Sequence, residues 1–332
     1  MLSNTIILMI IIVMLAVIFD FINGFHDSAN AIATSVSTRV LSMRQAIIMS
    51  ACFNFLGAFM STKVAQTIGK GIVDPNLISS KVIIAALLGA IMWDLLTWYF
   101  GLPSSSSHAL IGGLLGAAIV YKTSFLIVNW PNFMTKVVLW LFLSPVLGFL
   151  FGYLFMNFLN YILKPLRPAT VTKFFSKAQI VSAMLMALNH GGNDAQKSMG
   201  IITMALVSAG FLTTFKVPIW VTATCAMAMA LGTSMGGRRI IKTMGMKMSR
   251  LVPVNGFAAE TSSAAIIFTA TMLNSPVSTT HIISSAIMGV GASKRISSVK
   301  WSLAKDIIWA WVITIPVSAL ASAVIMIILT KI

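Results

Sequence analysis

Acidic residues are nearly missing from this chain: seven Asp and Glu stand among 332 residues, and charged residues of every kind amount to 9%. So few charges cannot cover a water-soluble globule of this length, and 58% hydrophobic residues with a mean hydropathy of +0.94 make the exclusion firm. No long hydrophilic run offers a soluble domain either. Apolar windows of about 20 residues, the length that crosses the hydrocarbon layer, recur throughout. The chain therefore reads as an all-α polytopic membrane protein. Cysteine is scarce as well: Cys52 and Cys225 stand alone in apolar segments with no CxxC pair. That excludes a disulfide framework and a thiolate metal site. The window Thr5 to Ile22 has no basic residue before it and no small-residue cleavage site after it, so it reads as a retained first helix rather than a signal peptide.

Positive charge is present in excess, 23 Lys and Arg for a net +16, and its distribution argues against a nucleic-acid partner. Fifteen of the 23 fall in four connecting stretches, Arg39 to Arg44, Lys164 to Lys177, Gly236 to Arg250 and Lys294 to Lys305. In a membrane protein such clustering sets orientation, with the basic connections in the cytoplasm. The crossings between them fall near 5–23, 45–62, 82–100, 108–121 and 135–163, then 178–213, 217–235, 251–274, 278–293 and 306–330. Ten to twelve membrane segments result, with both termini outside. Several are too short or too polar for simple helices, which predicts broken or re-entrant segments.

The chain also repeats itself. "NGFHDSANAIATS" from Asn23 is echoed by "NHGGNDAQKSMG" from Asn189, which sets Asp27 against Asp194 at an offset of 167. "PSSSSHALIGG" from Pro103 matches "PVSTTHIISSA" from Pro276, setting His108 against His281 at an offset of 173. The halves are 1–163 and 178–332, joined by the basic connector 164–177. An odd number of crossings in each half turns the second copy upside down, which is the inverted-repeat plan of secondary transporters.

All four histidines, His26, His108, His190 and His281, lie in these motifs, together with Asp27 and Asp194. Ionisable groups are costly at membrane depth unless they meet a partner or a polar cavity, so their gathering into repeated pairs marks a site. Gly24, Gly191 and Gly192 would permit a backbone break, and Pro103 and Pro276 suit the start of a helix. A helix N-terminus beside Ser104 to Ser107, or beside Ser278, Thr279 and Thr280, is an anion cradle of amides and hydroxyls. Asp27 and Asp194, with Asn23, Asn30 and Asn193, supply oxygens for a small cation. An anion and a cation cross a low-dielectric layer together at less cost than either alone. These residues predict a cation-coupled oxyanion symporter.

The motifs "FDFINGFHDSANAIAT", "GLPSSSSH", "NHGGNDAQK" and "SPVSTTH", in this order, resemble the inorganic phosphate transporter (PiT) family over nearly the whole chain. The resemblance implies a phosphate permease with an inverted repeat, usually a homodimer, in the cell membrane. Carried over by position, the signature residues are Asn23, Asp27 and Asn30 in one half and Asn193 and Asp194 in the other. The hairpin residues at the substrate are Ser105, Ser106 and Ser107, and Ser278, Thr279 and Thr280. The family signature often places a second Asn three residues after the Asp in both halves, whereas this chain has Lys197 there. An ammonium at that position would compete with sodium and add a donor for phosphate, or it would pair with a neighbouring Asp instead of the anion. The pattern is similar to the proton-coupled, low-affinity bacterial branch of the inner membrane, whose members carry neutral complexes of divalent metal and hydrogen phosphate. Four motif histidines fit proton coupling near neutral pH; sodium held at Asp27 and Asp194 is the alternative coupling ion. No cofactor is expected.

Three other readings use the same residues. An intramembrane hydrolase could draw Ser, His and Asp from the motifs, but a nucleophile needs one asymmetric constellation and this chain offers two near-equivalent ones. A passive anion channel would ignore cation gradients. A sulfate permease would bind the same tetrahedral shape, but it would need no acceptor for a substrate proton. Asp20, Asp94 and Glu260 lie in apolar windows without a counterpart at the repeat offset, and read as local network or proton-path residues.

Overall fold

The computed structural model describes residues 2–249 and 251–331; Arg250, the end of the third basic stretch, lies outside them. The helices are α1 (Leu2–His26), α2 (Ser28–Ser37), α3 (Met43–Gly57), α4 (Lys63–Gln66), α5 (Ser80–Phe100), α6 (Ser106–Lys122), α7 (Trp130–Phe133) and α8 (Leu139–Leu163). They continue as α9 (Pro168–Ser208), α10 (Ile219–Met235), α11 (Arg238–Ile241), α12 (Pro253–Met272), α13 (Thr279–Lys294) and α14 (Trp301–Lys331). Among the described residues there is no strand ladder, only an isolated bridge between Val73 and Val128. A lipid-facing chain has no water to satisfy open backbone groups, so helices are the form this composition dictates.

Five helical segments are long and apolar enough to cross a membrane, and a sixth is added if the bent pair 219–235 and 239–245 counts as one span. The helices α3, α6, α12 and α13 fall outside that set and pack against these spans. Three π-helical turns, Thr67–Gly71, Met134–Val138 and Lys242–Lys247, adjoin the short helices α4, α7 and α11. Residues 168–177 of the basic connector form the opening of α9, with Pro168 at its first position.

The basic stretches converge at one end of the bundle. Thr38 Oγ1 donates to Gln179 Oε1 (2.9 Å), Phe175 packs on Phe257, and Lys300 N donates to Met248 O (3.1 Å). At the far end Ser208 Oγ donates to Ile78 O, Lys81 Nζ to Leu329 O and Asn129 N to Ile72 O. The α1–α2 span therefore runs toward the basic end while α9 runs away from it. Likewise α8 runs toward it and α14 away. The repeat is inverted. Contacts obey the same exchange: α1 packs on α10 as α9 packs on α3, α6 on α14 as α13 on α8, and α5 on α14 as α12 on α8. Each half thus buries its apolar faces chiefly against the other.

Two expected backbone features lie elsewhere. The first signature turns at Asp27 rather than at a glycine, and the second has no break, because α9 passes through Gly191 and Gly192 unbroken. The glycines serve close packing instead: a Cβ on Gly24 would stand 2.4 Å from Met229 O, and one on Gly191 2.2 Å from Asn54 O. Small residues let membrane helices approach at such points. The prolines sit two residues ahead of the helix caps rather than inside the first turn. Ser105 caps α6 and Ser278 caps α13, and each side-chain oxygen accepts from the backbone of the following histidine, His108 or His281.

Candidate functional site

The hairpins α5–α6 and α12–α13 enter from opposite ends, and their tips meet in the centre. Ser107 Oγ donates to Val277 O (3.2 Å), and the rings of His108 and His281 stand 5.0 Å apart. His281 stacks on Trp311 at 4.1 Å, while Trp311 Nε1 donates to Pro103 O and so ties the first tip to α14. Capping leaves the N-termini of α6 and α13 facing this centre, with the partial positive charge that such ends carry. Ser106 at this tip neighbours the buried carboxylate of Asp94.

The two signatures flank these tips. Asn23, Asp27 and Asn30 are spaced i, i+4, i+7, as are His190, Asp194 and Lys197, so each trio shares one helix face. On the first face, His26 Nδ1 lies 2.8 Å from Asp27 Oδ1, Thr280 Oγ1 donates to the same carboxylate oxygen (3.1 Å), and Asn30 Nδ2 donates to Thr280 Oγ1 (2.9 Å). The other ring nitrogen, His26 Nε2, is 3.0 Å from Thr97 Oγ1, which is 2.8 Å from Ser104 Oγ. A hydrogen-bonded chain therefore runs from Asp27 to the first tip. On the second face, Lys197 Nζ donates to Asp194 Oδ1 at 2.6 Å and Thr279 Oγ1 lies 3.5 Å from Asp194 Oδ2. His190 Nε2 is 3.7 Å from that oxygen, while its Nδ1 meets Asn54 Oδ1 (3.1 Å). Asn193 Nδ2 donates to Thr271 Oγ1 (2.8 Å).

All the candidate residues are buried, none more than 2% exposed, so the site is closed from both ends of the bundle. Several polar atoms nonetheless lack partners: both polar atoms of Asn23, Asn30 Oδ1, Asn193 Oδ1, His190 Nε2, His108 Nδ1 and both ring nitrogens of His281. Buried polar groups are normally satisfied, so this concentration of free donors and acceptors marks groups left for a polar cargo.

Residues 23–169, and again 163–322, match the model of the phosphate transporter family. The chain belongs to the phosphate transporter family. Curated members include a "Probable low-affinity inorganic phosphate transporter" of Bacillus subtilis (strain 168), 53% identical over 321 residues and covering 96% of each chain. A protein of the same description from Rhizobium meliloti (strain 1021) is 50% identical over 95% of each. Among solved structures, one titled "The sodium-dependent phosphate transporter" superposes with a TM-score of 0.87 at 26% identity, covering 98% of this chain and 99% of the other. These relatives are named as transporters, so this is a transport family rather than a family of enzymes.

Within this family member, the sixteen residues picked from the motifs all come to the centre. Others entered unannounced. Thr97 continues the His26 chain; Asn54, Ser28 and Thr233 form a mutual hydrogen-bond network beneath His190; Trp311 supports both tips. The acidic residues without repeat counterparts divide. Glu260 is a network hub, accepting from Thr34 (2.5 Å), Ser35 (2.6 Å), Gln179 (3.2 Å) and Ser182, and it ties α2 and α9 to α12. Asp20 and Asp94 are fully buried; Ser198 and Cys225 neighbour the carboxylate of Asp20, and Ser106 neighbours that of Asp94.

Proposed function

We propose that this chain imports inorganic phosphate by alternating access, with a coupled proton. The observation that carries the proposal is the meeting of two capped helix N-termini, α6 and α13, between Asp27 and Asp194 in a sealed centre. Neutral amides and hydroxyls can bind a dehydrated oxyanion without a covalent step, and helix dipoles favour its charge. Asp27 and Asp194 provide acceptors for the substrate's own proton, which sulfate lacks. The inverted halves provide two equivalent ways to open the closed centre, toward either end. Asn23 and Asn30 line the cation side, and His26, joined to Asp27, is the group placed to take up and release the coupled proton.

The basic end faces the cytoplasm in this reading, with both termini outside, in the plasma membrane of a bacterium and as a homodimer. The support is the gathering of Lys and Arg at that end. Among the described residues no three His, Cys, Asp or Glu side chains gather to hold a metal ion. In this reading a divalent metal enters as cargo, in a neutral metal–phosphate complex. Sodium is the rival coupling ion, favoured by the solved neighbour whose title calls it sodium-dependent. The test is labelled phosphate uptake into proteoliposomes under separate proton and sodium gradients, with unlabelled sulfate as competitor. Proton-driven accumulation untouched by sulfate is expected. Sodium-driven accumulation, or displacement by sulfate, refutes the coupling ion or the cargo respectively.

A further inference from the structure

The two signature faces occupy equivalent places yet differ in what surrounds their carboxylates. At Asp27 the face offers oxygens that nothing fills: Asn23 Oδ1 and Asn30 Oδ1 are buried without partners, one helical turn to either side of the carboxylate. At Asp194 the position equivalent to Asn30 is Lys197, and its Nζ stands 2.6 Å from Asp194 Oδ1 with both side chains fully buried. An ammonium that donates at this distance already holds one place where a monovalent cation would contact Asp194. Lysine carries a compact point charge on a flexible stem, which suits it to stand in for a small bound cation. Unlike a bound cation, it cannot leave.

Resting on the phosphate-transport reading above, we propose that Lys197 is a tethered cation: its ammonium fills the place beside Asp194 that a mobile cation would otherwise take. The cycle then carries a mobile cation at Asp27 alone. The residue at position 197 sets the number of cations that travel with each cargo. Electrically, Asp194 is neutralised in every conformation, so the second repeat needs no ion from either side before it can rearrange. The first repeat has no such fixed charge: His26, 2.8 Å from Asp27 Oδ1, is a cation there only while protonated, so this repeat must take up its cation anew in each cycle.

Lys197→Asn restores on the second face the residue found on the first. The purified full-length wild type and this variant are reconstituted, and labelled sodium taken up per labelled phosphate is measured, together with the sodium-dependent shift in melting temperature in detergent at constant ionic strength. The expected result is one more sodium per phosphate in the variant than in the wild type, and a sodium-dependent stabilisation greater than that of the wild type. Lys197→Arg, which keeps a tethered charge, should gain neither. A variant that transports phosphate at the wild-type sodium ratio overturns the proposal. So does a transport-dead variant that gains no sodium stabilisation, and so does failure of both Lys197→Asn and Lys197→Gln to fold at any sodium concentration. A wild type that accumulates no phosphate under any gradient instead sinks the cargo reading, and the melting experiment then decides the tethered-cation proposal alone.

Discussion

Removing either partner of the Asp194–Lys197 pair strands the other in a dry interior. Both side chains are fully buried, the contact is 2.6 Å, and no other ion pair reaches Lys197 among the described residues. Breaking such a pair from one side costs about 3–5 kcal/mol, because the surviving charge keeps its desolvation penalty and loses its compensation. Replacing both partners by neutral groups of similar volume is often neutral or stabilising. Asp194→Asn and Lys197→Met, measured without sodium, should therefore each lose about 3–5 kcal/mol, a shift of two to four decades at about 1.4 kcal/mol per decade. The double variant Asp194→Asn/Lys197→Met should recover the wild-type melting temperature or exceed it, yet fail to transport. The assay is thermal unfolding of detergent-purified protein followed by loss of the monodisperse peak, with phosphate uptake measured on the same preparations. Single variants as stable as the wild type, or a double variant no better than the singles, would refute the charge-pair reasoning.

Asp27→Asn should abolish most uptake while leaving membrane insertion and elution profile intact, since an amide keeps the bond from Thr280 but removes the charge beside His26; near-normal uptake would remove Asp27 from the site. Gly24→Ala and Gly191→Ala should each destabilise by about 1–3 kcal/mol, because backbone oxygens stand within 2.4 Å of the added methyl; melting curves check this. Glu260→Gln should remain folded, whereas Glu260→Leu should lose monodispersity. The leucine leaves Thr34, Ser35 and Gln179 without their acceptor, at about 1–3 kcal/mol for each stranded group, while Ser182 keeps its bond to Gln179 O.

The membrane class, the repeat and the four motifs are readable from residue order alone, because apolar length and duplicated polar clusters survive without any knowledge of packing. The prolines Pro103 and Pro276 mark the helix starts only to within two residues, because Ser105 and Ser278 take the cap positions. What sequence hid was continuity and partnership. Gly191 and Gly192 look like a break, yet they sit within one 41-residue helix, where Gly191 lies against Asn54 and Gly192 against Gly57 of α3. Pairing of Lys197 with a neighbouring Asp is open from the sequence, and the unbroken helix decides it by setting Asp194 and Lys197 at i, i+3. Thr97, Asn54 and Thr233 are single polar residues in apolar runs. Thr97 bonds His26 across 71 positions and Thr233 bonds Asn54 across 179, separations that no local spacing encodes.

The exchange of contacts between halves has a consequence for how such a chain could be cut or could have arisen. Severing the connector near 164–177 would not release two bodies, because α1 would still need α10, and α13 would still need α8. Separately synthesised fragments should find each other only if one inserts head-up and its mate head-down. A single half-length peptide able to enter the bilayer in both senses would meet the same demand as a pair of identical copies. Fusion would then fix for good an orientation that each copy once had to choose at every insertion.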